Sequence, residues 1–434
     1  MMRVDQREND ESEGMKSSRP AARRLQIAAA VVIVAYGLML VIDLAAHPDT
    51  YQWDFSSYYY AGQAYVRGMT PYDLHVLSEV AGKEVGFPFA YSPVVLPLFA
   101  LLARLNILTA YYLFLGLKLL CLGGLLYLWA RRLLREEVDL LFYVLVLFGF
   151  GGAVYVDLAA GNISLLEQVG LWLAFYALLK DRPLAFSGLV VLVSLVKLSP
   201  ILFLVLLPLV GGRRRLTALG GAFLAFVGIN AVTWFLAPAL YRDFLAVIPQ
   251  LDDRGIINPS TLALFRDLAD ILTRNGIALS PVMPGVAYLA FAAAVALVTG
   301  LALRRVQGED RRVTIFIVCL AFVLVAPRFK NYSYVLALVP AFYLVKRWIR
   351  LEASWAALLL VVISNRIPVP FGLGATAQNL FWGYYSLLLT LLLWALSVWV
   401  AIRNSADRVR SDPLPGAVPD AGAGRALRRP RSGA

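Results

Sequence analysis

Cysteine and histidine are nearly missing from this chain of 434 residues, which has two of each. Cys121 and Cys319 both fall inside hydrophobic runs. A disulfide framework or a zinc site needs more thiols, or thiols at close spacing, so packing is their expected role. His47 and His75 stand apart, and no metal site and no cofactor are expected. Charge is scarce too: Asp, Glu, Lys and Arg make up 16% of the residues, against about 25% in soluble domains. There is no internal repeat, no P-loop and no dinucleotide-binding fingerprint.

What remains is apolar. Hydrophobic residues account for 60% of the chain, and the mean hydropathy is +0.70. Runs long enough to cross a bilayer, about 17–25 residues each, recur along nearly the whole length. The pattern predicts an all-α polytopic membrane protein; a β-barrel would show short alternating segments. The net charge of +12 sits in short loops between the runs and in the two tails. That is the positive-inside pattern, which reports orientation and contact with membrane lipids; no nucleic-acid partner is expected.

Lys16, Arg19, Arg23 and Arg24 precede the first run, which places the N-terminus in the cytoplasm and the following segment outside. The run is too long for a cleavable signal peptide. Basic clusters at Arg131–Arg135, Lys180–Arg182, Arg213–Arg215, Arg304–Arg312 and Lys346–Arg350 mark further cytoplasmic loops. Parity then makes the stretch 91–105, which holds Pro93 and Pro97, an interfacial or re-entrant helix and 107–130 the true span. It also makes Lys197-Leu198-Ser199-Pro200 the exoplasmic tip of a hairpin. About twelve crossings result, with both ends inside. A multi-spanning domain over 25–403, with exoplasmic loops at about 45–88 and 237–284, is flanked by tails, 1–24 and 404–434, whose composition predicts disorder.

Polar residues gather on the exoplasmic side. Residues Tyr51 to Asp73 read YQWDFSSYYYAGQAYVRGMTPYD, with Asp54 among seven aromatics (Tyr51, Trp53, Phe55, Tyr58, Tyr59, Tyr60 and Tyr65). An acid amid aromatic rings at a membrane surface suits a hydroxylated ligand such as a sugar. Taken singly, most of these rings read as an interfacial aromatic belt, and Asp54 as a helix cap. Asp73 reads as a cap for a helix starting near Leu74. Asp157 suits either substrate contact or a turn. Lys118 and Glu167 lie inside predicted spans, where a charge pairs with a neighbour or faces a wet cavity. Asp252-Asp253 beside Arg254 reads as a solvated acidic turn.

The order of these pieces resembles a known family. Asp54-Phe55-x-x-Tyr58-Tyr59, followed by Gly68-Met69-Thr70-Pro71-Tyr72-Asp73, is similar to the first exoplasmic loop of glycosyltransferase family 87. Tyr91-Ser92-Pro93, Gly161-Asn162, Lys197-Leu198-Ser199-Pro200 and Pro327 ahead of Pro340 agree in order, so the resemblance spans about Leu25 to Arg403. It implies a GT-C-like bundle of about 12 transmembrane helices in the plasma membrane. It implies an inverting transfer of a hexose, mannose in the family, from a polyprenyl-phosphate sugar donor, with no nucleotide sugar. The acceptor would be exoplasmic, a glycolipid or a cell-envelope glycan, and Asp54 the general base.

Such a transfer needs cations for the departing phosphate. Lys197, Arg328 and Lys330 are the candidates, though Lys197 also reads as a snorkelling lysine. Tyr58, Tyr59, Tyr91, Asp157 and Asn162 are the candidate substrate contacts. The family's late turn often carries a Trp and one or two His. Here it reads Arg328-Phe329-Lys330-Asn331-Tyr332, which leaves the sugar and the acceptor class open. The alternative function is a transporter or flippase of lipid-linked sugars, which usually shows repeat symmetry.

Overall fold

The computed structural model describes residues 27–28, 30–210, 213–306, 310–349, 361–362 and 375–411. The expected tails lie outside these, apart from the last helix, which continues to Ser411. All regular structure among the described residues is helical. Helix α1 (Ala30–Ala46) is followed by α2 (Trp53–Val66), α3 (Leu74–Ala81), α4 (Leu96–Leu102), α5 (Ile107–Leu128) and α6 (Leu140–Ala160). Then come α7 (Ser164–Leu179), α8 (Pro183–Val196), α9 (Leu206–Val210), α10 (Arg213–Leu236) and α11 (Pro238–Val247). The remainder is α12 (Thr261–Arg274), α13 (Met283–Arg305), α14 (Arg311–Val325), α15 (Val335–Tyr343), α16 (Ala375–Gly383) and α17 (Tyr385–Ser411).

Among the described residues, five segments are long and apolar enough to cross a membrane: Ile107–Leu134, Leu140–Ala160, Arg214–Leu236, Met283–Arg305 and Tyr385–Asn404. These do not confirm the expected twelve crossings, and several other apolar helices are short. Helices α7 and α8 have 16 and 14 residues, so they reach only about 21–24 Å at 1.5 Å per residue, short of a hydrocarbon core of about 30 Å. The turn before Pro183 and the break at Lys197–Pro200 cut them off. Helix α4, with its Pro93–Val95 lead-in, is shorter still.

Local signals set the ends. Asp73 caps α3 by accepting from the His75 N–H (2.8 Å), Asn106 caps α5, and Asp139 and Ser260 do the same for α6 and α12. Helix α6 is interrupted at Gly149–Gly152, where Phe150, Gly151 and Gly152 all have positive φ. Gly149 and Phe150 of the break are buried, and the Phe150 ring lies 5.5 Å from that of Tyr334.

The core sits on α14 and α15. Every residue of α15 is buried, and α14 is buried from Ile315 to Leu324. Around them α5 packs on α7, α7 on α8, α8 on α10, and α13 on both α14 and α17. Large apolar side chains stay exposed on α10 and α13, among them Leu224, Phe235, Leu289 and Leu297, as a lipid-facing surface requires. Helices α2 and α4 meet so closely that a Cβ on Gly62 would stand 2.5 Å from the Phe99 carbonyl oxygen. Small residues permit such contacts, and this one fixes the helix that carries Asp54.

Candidate active site

Asp54 lies in the first turn of α2, whose start is set by another part of the chain. Gln52 precedes it in the left-handed region (φ 75°) and supplies no side-chain cap. The Gln52 N–H instead donates to the Ala159 carbonyl at the end of α6 (2.7 Å). There Gly161 turns the chain with φ +64°, and a Cβ on it would stand 2.7 Å from the Phe55 Cβ. The two chain ends press together and bring Asn162 beside Asp54. Gly161→Ala is therefore expected to destabilise the protein by more than about 1 kcal/mol through backbone strain and to slow turnover by moving Asn162. Thermal unfolding of the purified variant checks this; an unchanged midpoint contradicts it.

Asp54 is only 5% exposed. The Asn162 amide donates to Asp54 Oδ2 (2.6 Å), to the Tyr58 hydroxyl (2.8 Å) and, at longer range, to the Tyr91 hydroxyl (3.2 Å). Its Oδ1 accepts from the Ser164 N–H (2.9 Å) and the Ser164 hydroxyl (2.8 Å), which sets the orientation of the amide. The two tyrosine hydroxyls bond each other at 2.7 Å. Ser164 Oγ accepts from Lys197 Nζ (2.7 Å), and Lys197 pairs with Glu167 (2.7 Å). A continuous line of polar contacts runs from Asp54 through Asn162 and Ser164 to Lys197 and Glu167.

A second group comes from the turn between α14 and α15. Arg328 and Lys330 both pair with Asp253, Lys330 at 3.3 Å. Burial favours the neutral acid, but Lys330 and Arg328 outweigh it and hold the Asp253 carboxyl below the usual carboxylate range. The turn is pinned by the segment ahead of α12. The Phe329 N–H donates to Asn258 Oδ1 (2.9 Å), the Ser260 hydroxyl to the Pro327 carbonyl (3.0 Å), and the Tyr334 hydroxyl to the Pro259 carbonyl (2.7 Å). Lys330 also lies over the Phe87 ring, 5.0 Å from its centroid, a favourable cation–π contact.

One cavity of about 500 Å³ joins the two groups. Asp54, Tyr58, Tyr91, Lys197, Arg328 and Lys330 all line it. Its volume falls within the range of about 300–1,000 Å³ typical of small-molecule sites. Leu198, Ile201, Leu202 and Ile248 line it as well, and Leu202 and Ile248 are exposed. Asn162 bonds one oxygen of Asp54, and Asp54 itself lines the cavity. Among the described residues, no group of three or more His, Cys, Asp or Glu side chains could hold a metal ion.

The remaining expected contacts stand elsewhere. Tyr59 does not reach the cavity: its hydroxyl donates to the Leu105 carbonyl (2.7 Å) and accepts from the Gln63 amide (3.1 Å). Asp157 is fully buried and pairs with Lys118 (2.6 Å), which also donates to the Asp157 carbonyl. That carbonyl accepts from the Asn162 N–H (3.2 Å), so Asp157 supports Asn162 from behind. Asn162 itself is fully buried and acts on the cavity through Asp54 and the tyrosines.

Two bland expectations are also corrected. Phe55, Tyr58, Tyr59 and Tyr60 are buried rather than an interfacial belt, because α2 packs on α4 and their rings meet others, such as Phe55 on Phe114 (5.1 Å) and Tyr58 on Phe99 (4.9 Å). Asp253 faces the cavity instead of solvent. Sequence reasoning missed its role and that of Ser164; a small polar residue two positions after Asn162 in an apolar run was the signal for Ser164.

A comparison with family models supplies the deciding observation: the model of Glycosyltransferase family 87 matches residues 89–327, more than half of the chain. The chain belongs to glycosyltransferase family 87. It is therefore a membrane glycosyltransferase, with a sugar donor and an acceptor as substrates. The matched segment of this family 87 chain includes Tyr91, Asn162, Lys197 and Asp253. Asp54, Arg328 and Lys330 lie outside it and enter the site on geometry. No curated protein and no solved structure matches the chain.

Proposed function

We propose that this enzyme transfers a hexose, mannose by the family resemblance, from a polyprenyl-phosphate sugar to an exoplasmic glycolipid or cell-envelope glycan. The carrying observation is that one cavity brings the buried carboxylate of Asp54 together with Lys197, Arg328 and Lys330. The carboxylate of Asp54 takes the proton of the acceptor hydroxyl as the hydroxyl oxygen attacks the anomeric carbon. The bond from that carbon to the phosphate oxygen breaks, and polyprenyl phosphate leaves with the electron pair. Attack opposite the leaving group inverts the configuration.

The departing phosphate is received by the cations. Lys197 is already matched by Glu167. Arg328 and Lys330 share one carboxylate, Asp253, and among the described residues the Arg328 Nε is buried without a hydrogen-bond partner. That pair has an uncompensated charge and an unused donor, which suit a phosphate oxygen. The apolar rim at Leu198, Ile201, Leu202 and Ile248 suits the prenyl chain. Arg328→Ala is expected to raise the KM for the lipid-phosphate donor at least about tenfold, the scale of one lost charged hydrogen bond at about 1.5–3 kcal/mol, and to leave the acceptor KM little changed. Initial rates with each substrate varied in turn check this. An unchanged donor KM rules out the phosphate role.

A further inference from the structure

A second hollow, of about 690 Å³, lies between α12 and α16. Helix α12 contributes Asp267, Asp270 and Arg274, and α16 contributes Gln378, Asn379 and Trp382. Arg254 completes one side. We propose that this hollow binds the sugar chain of the acceptor, next to the residue being glycosylated. The proposal rests on the transferase reading of the Asp54 cavity.

The two hollows share a wall one chain thick. Leu251 and Arg254 are extended, and successive side chains of an extended chain point to opposite sides. Leu251 and Asp253 line the Asp54 cavity, and Arg254 lines the second hollow. Arg254 holds the wall in place through Asp252 (2.6 Å), Asp267 (3.4 Å) and Asp270 (2.5 Å). The Tyr384 hydroxyl adds a tie, donating to Asp267 Oδ2 (2.6 Å) and accepting from the Gly255 N–H (3.1 Å). A glycan with its terminal hydroxyl at Asp54 continues over this wall into the second hollow.

The lining selects the ligand class. It carries two carboxylates, Asp267 and Asp270, and two guanidiniums, Arg254 and Arg274, so it favours neither an anionic nor a cationic polymer. It offers amide donors and acceptors from Gln378 and Asn379, and the indole of Trp382. Among the described residues, the Trp382 Nε1 is buried with no hydrogen-bond partner, which leaves an indole N–H in want of an acceptor. A neutral polyhydroxylated chain supplies hydroxyl acceptors and donors together with apolar ring faces for an aromatic side chain. The prenyl tail fits the Asp54 cavity instead, where Leu198, Ile201 and Leu202 line the rim.

The test uses the full chain in lipid nanodiscs, with linear mannotriose as the probe and saturation-transfer NMR as the readout. Wild-type protein is expected to bind the trisaccharide saturably. Trp382→Ala and the milder Gln378→Ala are each expected to weaken binding at least tenfold. No saturable binding by wild type, or binding unchanged in both hollow variants, would each overturn the proposal. Because the readout is binding and not turnover, failure of the transferase reading would show separately, as absence of transfer by a protein that still binds the trisaccharide at Trp382.

Discussion

Asp54→Asn is expected to lower turnover by roughly 10²–10⁴-fold, the usual contribution of a positioned general base, while the protein still folds. The substitution keeps the size of the side chain and an oxygen that can accept from the Asn162 amide (2.6 Å in the native contact). The contacts of Asn162 with Tyr58 and Ser164 need not change. What disappears is the carboxylate that takes the acceptor proton. KM values should therefore move little and the turnover number should collapse. Rates with purified protein, alongside thermal unfolding curves, check both halves. Near-normal turnover by a well-folded variant contradicts the base assignment.

The second large effect concerns the buried pair Lys118–Asp157, both fully buried and 2.6 Å apart. Removing one partner leaves the other charged and dry, which typically costs 3–5 kcal/mol. Lys118→Met is thus expected to destabilise the protein by about that amount and to impair transfer, because the Asp157 carbonyl also holds the Asn162 N–H. The double variant Lys118→Met with Asp157→Leu is expected to recover most of the stability, since replacing a buried pair by apolar groups is often neutral or better. Denaturation midpoints of the single and double variants in detergent measure this. A single variant as stable as wild type contradicts a buttress role for the pair.

The parts of the site that depend on local context were legible in the sequence. Asp54 stands out as an acid among aromatics, and the Lys197–Pro200 break is visible because a lysine and a proline interrupt an apolar run. The cavity does contain Asp54, Lys197, Arg328 and Lys330. What depends on long-range pairing was hidden. Asp253 meets Arg328 across 75 positions, so from sequence it resembled any solvated turn acid. Asp157 meets Lys118 across 39 positions, and nothing local separates a supporting carboxylate from one that touches substrate. Tyr58 and Tyr59 are adjacent and alike, yet the step of about 100° between successive helical residues sends them to different neighbours: Tyr58 to Tyr91 and Tyr59 to Leu105. The all-helical fold class followed from composition, whereas the count of twelve spans is not confirmed; breaks rather than hydropathy set the lengths of α7 and α8.

The most direct test supplies the purified protein, in proteoliposomes, with polyprenyl-phosphate mannose labelled on the sugar and a membrane glycan acceptor. The account predicts label in the acceptor, matched by release of polyprenyl phosphate, with inverted anomeric configuration and no transfer from a nucleotide sugar. Transfer from the nucleotide sugar alone, or passage of intact lipid-linked sugar across the bilayer without transfer, would contradict it.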